Sequence, residues 1–181
     1  MAWEIDAKHS QVTFSVRHMM VSTVKGHFNV LRGKLEIDEQ HPEKSWIEAE
    51  ADASSIDTRD ENRDAHLRSA DFFDAEKYPT ITFKSTKVEQ TGDSEYRITG
   101  HLTMHGVTKE VTFKAEYSGQ LKDMYGMQRA GLTAKAVINR KDFGLNWNKA
   151  LESGGVLVSE NVTVEIDLAA VRQPELIGAN A

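Results

Sequence analysis

The 181-residue chain contains no cysteine. That absence excludes disulfides, zinc–thiolate centres, iron–sulfur clusters and thiol nucleophiles together. It leaves the compartment open, because a chain without thiols suits either redox setting. Proline is scarce, and its three residues, Pro42, Pro79 and Pro174, are scattered, so no Pro-rich linker divides the chain. No apolar run approaches the length of a membrane-spanning helix, so no integral membrane segment is expected. Positive charge is not in excess: 22 Lys and Arg face 28 Asp and Glu, a net −6. That balance supplies no attraction to nucleic acid or to an anionic membrane. The opening Met1-Ala2-Trp3-Glu4-Ile5-Asp6 has neither the basic nor the apolar stretch of a secretory signal. A cytoplasmic location is therefore expected for the chain as it stands, and a periplasmic one if a leader has been removed. The length fits one domain, expected over 1–172, with a loose tail over 173–181.

What the sequence does have is alternation. Val12, Phe14, Val16 and His18 share one parity, against Gln11, Thr13, Ser15 and Arg17. The same period of two runs through Trp46–Ala53, Tyr96–Met104, Val111–Tyr117, Ala130–Ile138 and Val162–Leu168, and Ile81 with Phe83 marks a further strand. Alternation of this kind is the signature of antiparallel strands with one dry and one wet face. Between Val24 and Asp38 the apolar parity flips from Phe28 and Val30 to Leu35 and Ile37. Gly33 lies between them, which predicts one long strand bent by a bulge at that glycine. About eight strands result. Turn residues fall between them at Thr91-Gly92-Asp93, His105-Gly106, Lys122–Gly126 and Ser153-Gly154-Gly155. One connection differs. Asp57–Ser69 lacks alternation and sets opposite charges at helical spacing, predicting a short helix capped by Ser55 or Asp57, followed by a Phe72-Phe73 loop.

Eight hairpin-linked strands with one dry face predict an all-β fold, an eight-stranded antiparallel barrel with one short helix in a crossover connection. Many inward positions are small: Ala49, Ala51, Ala53, Ser85, Gly100, Ala115, Ala130, Ala134 and Ala136. Left small in a closed core, they would open dry cavities at about 24 cal/mol per Å3. A hollow interior holding a hydrocarbon body follows from this; tight strand curvature is the alternative use for small residues.

Groups that could carry chemistry are few. His101 and His105 stand on a strand and a turn, so helical metal-ligand spacing does not apply, and no metal site is expected. Asp57, Asp60, Glu61 and Asp64 resemble a calcium loop only superficially. Arg59 sits where a ligand belongs, and no glycine supplies the loop's turn. Asp142-Phe143-Gly144 appears without the other signatures of a kinase. No nucleophile elbow, phosphate loop or dinucleotide fingerprint is present, so no catalytic residue and no cofactor is assigned.

Several stretches together carry a family likeness: Trp3–His18, Val24-Lys-Gly-His-Phe28, Arg68-Ser-Ala-Asp-Phe-Phe-Asp74, Tyr78–Ser85, Gly100–Lys109, Asn139–Trp147, Gly154-Gly155 and Val162–Ile166. In that order they make the chain, from Trp3 to Val171, resemble the YceI-like family of small bacterial lipid-binding proteins. The resemblance implies an elongated, lipocalin-like barrel around a long isoprenoid-type amphiphile, a polyprenyl phosphate or an isoprenoid quinone. Many such proteins are periplasmic, and the family supplies no established catalytic residues.

Strand parity supplies the lining. Phe14, Val16, Phe28, Phe83, Ile98 and Leu102 are expected along the lipid tail, with Phe113, Ala134 and Ala136. His18 and Arg140 are expected near its polar head at the mouth. Two other readings stay open, a lipid-modifying enzyme using His18 as acid or base, and a packed-barrel stress or interaction protein. Homodimerisation is left open.

Overall fold

Each alternating segment has one face to keep from water, and an antiparallel sheet that curls until its edges meet satisfies all of them at once. The computed structural model describes residues 2–149 and 157–172. The expected turn at Ser153-Gly154-Gly155 and the expected tail over 173–181 lie outside those residues. Among the described residues, eleven strand segments form one sheet: β1 (Trp3–Ile5), β2 (Gln11–His18), β3 (Ser22–Phe28), β4 (Leu31–Glu36), β5 (Trp46–Asp52), β6 (Ile56–Asp57), β7 (Thr80–Gln90), β8 (Glu95–Met104), β9 (Val107–Lys122), β10 (Gln128–Asn139) and β11 (Asn161–Arg172). Three pairs of segments are halves of single bent strands. A 3-10 turn at Ala7–His9 separates β1 from β2, and another at Ala53–Ser55 separates β5 from β6. Counted that way, eight antiparallel strands form the barrel. It closes where β1 pairs with both β4 (Trp3↔Leu35) and β11 (Glu4↔Val171), while β2 continues along β11 through Phe14↔Val164.

The bend between β3 and β4 falls at Asn29–Val30, where Val30 is exposed, and not at Gly33. Gly33 lies inside β4, opposite Ala49, for a different reason. A Cβ there would sit 2.2 Å from the Glu48 carbonyl oxygen and 2.8 Å from Ile5 Cδ1. The glycine lets β5 and Ile5 close on β4 near the seam. Gly100 does the same for β8, where a Cβ would stand 2.3 Å from the Lys84 carbonyl oxygen and 2.7 Å from Phe83. Some of the small inward residues therefore serve strand approach and not hollowness.

The helix α1 (Glu61–Arg68) begins later than its charge pattern suggests. Asp60, not Ser55 or Asp57, is the cap, with its carboxylate accepting from the N–H of Asn62 (3.0 Å) and of Arg63 (3.1 Å). Asp57 belongs to β6 and accepts from the Arg59 N–H at 2.9 Å. The buried Asp64 takes the N–H and hydroxyl of Thr58, which docks the helix against the end of β6. The barrel therefore has two unlike ends. Trp3, fully buried with Arg172 stacked 4.7 Å from its ring, lies at one end; α1 and the loop after it cover the other.

Candidate functional site

The dry parity of every strand converges on the barrel axis, and the side chains do not fill it. A cavity of about 170 Å3 occupies the half nearest α1. Phe14 and Val16 of β2, Phe28 of β3, Phe83 of β7, Leu102 of β8 and Phe113 of β9 form its wall. Val162, Val164 and Ile166 of β11 complete it. Toward the Trp3 end a second void of about 50 Å3 shares Phe83 and Phe113 with the first, and adds Ile98 and Ala134. A third, of about 70 Å3, shares Ile98 and Leu132 with the second and reaches Tyr96 and Tyr117. Shared walls place the three in series along the axis. At the far end the Tyr117 hydroxyl donates to Glu39 Oε1 at 2.7 Å, and burial with the Glu39 carboxylate pushes the Tyr117 pKa up.

Aromatic rings dominate the large cavity. Phe14 and Phe28 stand 5.7 Å apart, Phe28 and Phe73 5.8 Å edge-on, and Phe83 and Phe113 5.2 Å edge-on. Such pairs hold rigid apolar walls at little entropic cost. At the mouth, His66 of α1 packs edge-on between Phe72 (5.1 Å) and Trp147 (4.7 Å), with its Nε2 2.9 Å from Asp71 Oδ2. Leu67, Phe72 and Phe73 reach the cavity from α1 and its loop. These three have no strand parity to reveal them; Phe72 and Phe73 stood out only as an adjacent aromatic pair within Arg68–Asp74, and Leu67 not at all.

Arg140 follows β10 and borders the large cavity while being 4 % exposed. Its guanidinium donates to four backbone carbonyls: Ser159 from Nε (2.9 Å), Leu145 and Trp147 from Nη1, and Val158 from Nη2 (3.2 Å). Among the described residues no carboxylate forms an ion pair with it, because Glu160 is engaged by Lys141 Nζ at 2.9 Å. Burial pushes the Arg140 pKa down, opposed by the field of Glu160. The side chain thus pins the segment after β10 to the start of β11, and it sets a cation at the edge of an apolar space.

The remaining expected residues are placed as follows. His18 lies on the rim, paired through its backbone with Val158, and does not wall the cavity. Ala136 is buried but borders none of the voids, whereas Ala49 and Ala51 do. Among the described residues no group of three His, Asp or Glu side chains converges. No helix among them is long and apolar enough to cross a membrane.

A small closed antiparallel barrel, one helix at its mouth and an unfilled aromatic-lined axis define the class: a β-barrel built around an apolar cavity. Residues 3–170 match the YceI-like domain, and the chain belongs to that family. A UPF0312 protein of Pseudomonas putida is 38 % identical over 168 residues, covering 93 % of this chain and 84 % of the relative. The crystal structure of the Campylobacter jejuni YCEI protein is similar at a TM-score of 0.76 and 28 % identity, covering 87 % of this chain and 90 % of that one. A polyisoprenoid binding domain from Saccharophagus degradans, implicated in plant cell wall breakdown, shares the fold at a TM-score of 0.72 and 18 % identity, with 96 % and 99 % covered.

Proposed function

We propose that this protein binds, without chemical change, a lipid with a long isoprenoid-type tail, and carries or stores it inside the barrel. The observation that carries this reading is the axial series of apolar voids behind a mouth ringed by Phe72, Phe73 and Leu67. An empty apolar space of 170 Å3 would cost about 4 kcal/mol, a penalty that an occupant removes. A flexible tail gains about 0.8 kcal/mol per buried methylene and needs no directional contact, which suits walls that are almost wholly apolar. The polyisoprenoid binding domain of Saccharophagus degradans supports the same ligand class.

The polar head, a phosphate or a quinone carbonyl, lies near Arg140 and His18. A guanidinium has five N–H donors, and the backbone takes four of those on Arg140. The remaining Nη2 hydrogen and the positive charge suit a ligand oxygen. Native mass spectrometry of the purified protein, with organic extraction, tests the proposal. A bound mass that extracts as a prenyl lipid is expected; protein that is reproducibly empty and takes up no polyprenyl phosphate or quinone from detergent overturns it.

A further inference from the structure

The hairpin joining β2 to β3 ends in an exposed tip built from three apolar residues, Met19, Met20 and Val21, at 48 %, 55 % and 77 % exposure. Its backbone is as unusual as its side chains. Met19 and Met20 both adopt left-handed conformations, with φ of 54° and 64°, and the Val21 N–H closes the turn on the His18 carbonyl at 3.3 Å. Two-residue turns of this hand favour Asn-Gly, because side chains with a Cβ are strained there. Two methionines in that turn cost stability and leave apolar surface in water, so neither folding nor solubility accounts for them.

The tip's position suggests what does. It continues directly from Phe14 and Val16, which wall the large cavity, through His18 on its rim. The Met19 N–H is held by the Leu157 carbonyl at 2.7 Å, beside the Val158 that also borders the cavity. Arg17 braces the turn from outside, donating to Thr23 Oγ1 at 3.1 Å and to the Met20 carbonyl at 3.2 Å. Exposed Lys149 adjoins through the Leu157 N–H to Lys149 carbonyl bond at 2.9 Å. Among the described residues, neither cation has an ion-pair partner. Asp60, Glu61 and Asp71 lie on and beside α1, and Glu160, next to the Ser159 that bonds the Arg17 backbone, is engaged by Lys141 Nζ at 2.9 Å.

We propose that this hairpin tip is a membrane-docking finger, which inserts its methionines and Val21 among the acyl chains of an anionic bilayer. Arg17 and Lys149 then meet the lipid headgroups, and the cavity mouth is brought against the bilayer surface. The proposal rests on the lipid-carrier reading: a protein that takes a long-tailed lipid must receive it without exposing the tail to water. Three side chains and two cations on a net-negative protein make a weak, reversible contact, and that suits loading and release.

The test is flotation of the full chain with vesicles of phosphatidylcholine alone, or of phosphatidylcholine mixed with phosphatidylglycerol. The Met19→Asn/Met20→Gly variant keeps the fold, because it installs the turn's favoured residues; thermal melting checks this. Binding of the wild type to anionic vesicles is expected, with about a tenfold loss in that variant. The Arg17→Gln/Lys149→Gln variant is expected to lose the preference for anionic over neutral vesicles. Wild-type protein that binds neither vesicle, or a tip variant that binds as well as wild type, overturns docking by this finger. A preference kept by the charge variant overturns the part given to the cations. A second arm separates failure here from failure of the carrier reading. Uptake of a polyprenyl phosphate from detergent micelles is expected to be equal in wild type and tip variant, while transfer from vesicles slows only in the variant. If the wild type takes up nothing from micelles, the carrier reading fails, whatever the vesicles show.

Discussion

Arg140 donates from Nε to the Ser159 carbonyl at 2.9 Å, linking the end of β10 to the start of β11 across the cavity mouth. With Leu145, Trp147 and Val158 also engaged, one buried side chain organises the segments on both sides of the opening. Replacing it with Met strands those carbonyls. Hydrogen bonds to charged groups contribute about 1.5–3 kcal/mol each, so Arg140→Met is expected to cost about 3 kcal/mol after relaxation. Arg140→Lys is expected to recover only part of this, because an ammonium with three donors cannot match a planar fork. Urea denaturation of the lipid-free protein checks both, and equal stability of Arg140→Met and wild type would show that the clamp is dispensable.

Gly33 and Gly131 look alike in sequence, each a glycine within an alternating strand, and differ in space. A Cβ at Gly33 meets the Glu48 backbone oxygen at 2.2 Å, whereas at Gly131 the nearest atom is the Ser118 Cβ at 3.4 Å. Backbone in a closed barrel cannot step aside. Gly33→Ala is therefore expected to lose about 2–3 kcal/mol and Gly131→Ala less than about 1 kcal/mol, as read from thermal or urea melts. The opposite ranking would mean that the seam is looser than its geometry.

Those glycines also mark where sequence reading stopped. Period two depends only on neighbours along the chain, so the strands, their dry faces and much of the wall from Phe14 to Phe113 were legible. A parity flip between Phe28 and Leu35 was legible as well, but not its place, since a break at Asn29–Val30 and a bulge at Gly33 shift the pattern equally. Small residues were ambiguous for a related reason. Ala49 borders a void and Gly100 admits a neighbouring strand, and only the distance to the facing backbone tells them apart. Arg140 could be placed at the mouth, yet its four carbonyl partners come from two segments that meet only in the fold. Leu67 fell within the charged helix and the Phe72–Phe73 pair in the loop after it, where strand parity says nothing.

Ala49 touches both the large cavity and the void beneath it, so a larger side chain there enters the path of a tail. Ala49→Leu is expected to raise the stability of the lipid-free barrel by about 1 kcal/mol, because it fills apolar space. It should also lower the fraction of lipid-loaded protein by about tenfold, as the same space is no longer available. Val137→Leu, on the exposed outer face of β10, serves as the control and should change neither. Native mass spectrometry before and after addition of a polyprenyl phosphate reads the loading. Unchanged loading in Ala49→Leu would place the tail elsewhere.

At the Trp3 end, Arg129 bridges two carboxylates, with Nη1 3.0 Å from Asp6 Oδ2 and Nε 2.7 Å from Asp123 Oδ2. The bridge ties the turn after β1 to the turn between β9 and β10. Hydrogen bonds from His9 and from Arg129 hold the Asp6 carboxyl below its ordinary value of 3.8, and Arg129 with the Met127 and Tyr125 N–H groups does the same for Asp123. Carboxyls with pKa values depressed by folding add stability above their unfolded values, and that contribution disappears as pH falls through the folded ones. Arg129→Gln is thus expected to be less stable than wild type above about pH 5 and to converge with it as both carboxylates become protonated. Because Arg129 is more than one-third exposed, salt should shrink the difference. Urea midpoints from neutral pH down to acid, at low and high salt, check the sign. A gap that persists undiminished at the acid end would assign the effect to packing against the seam, not to the ion pairs.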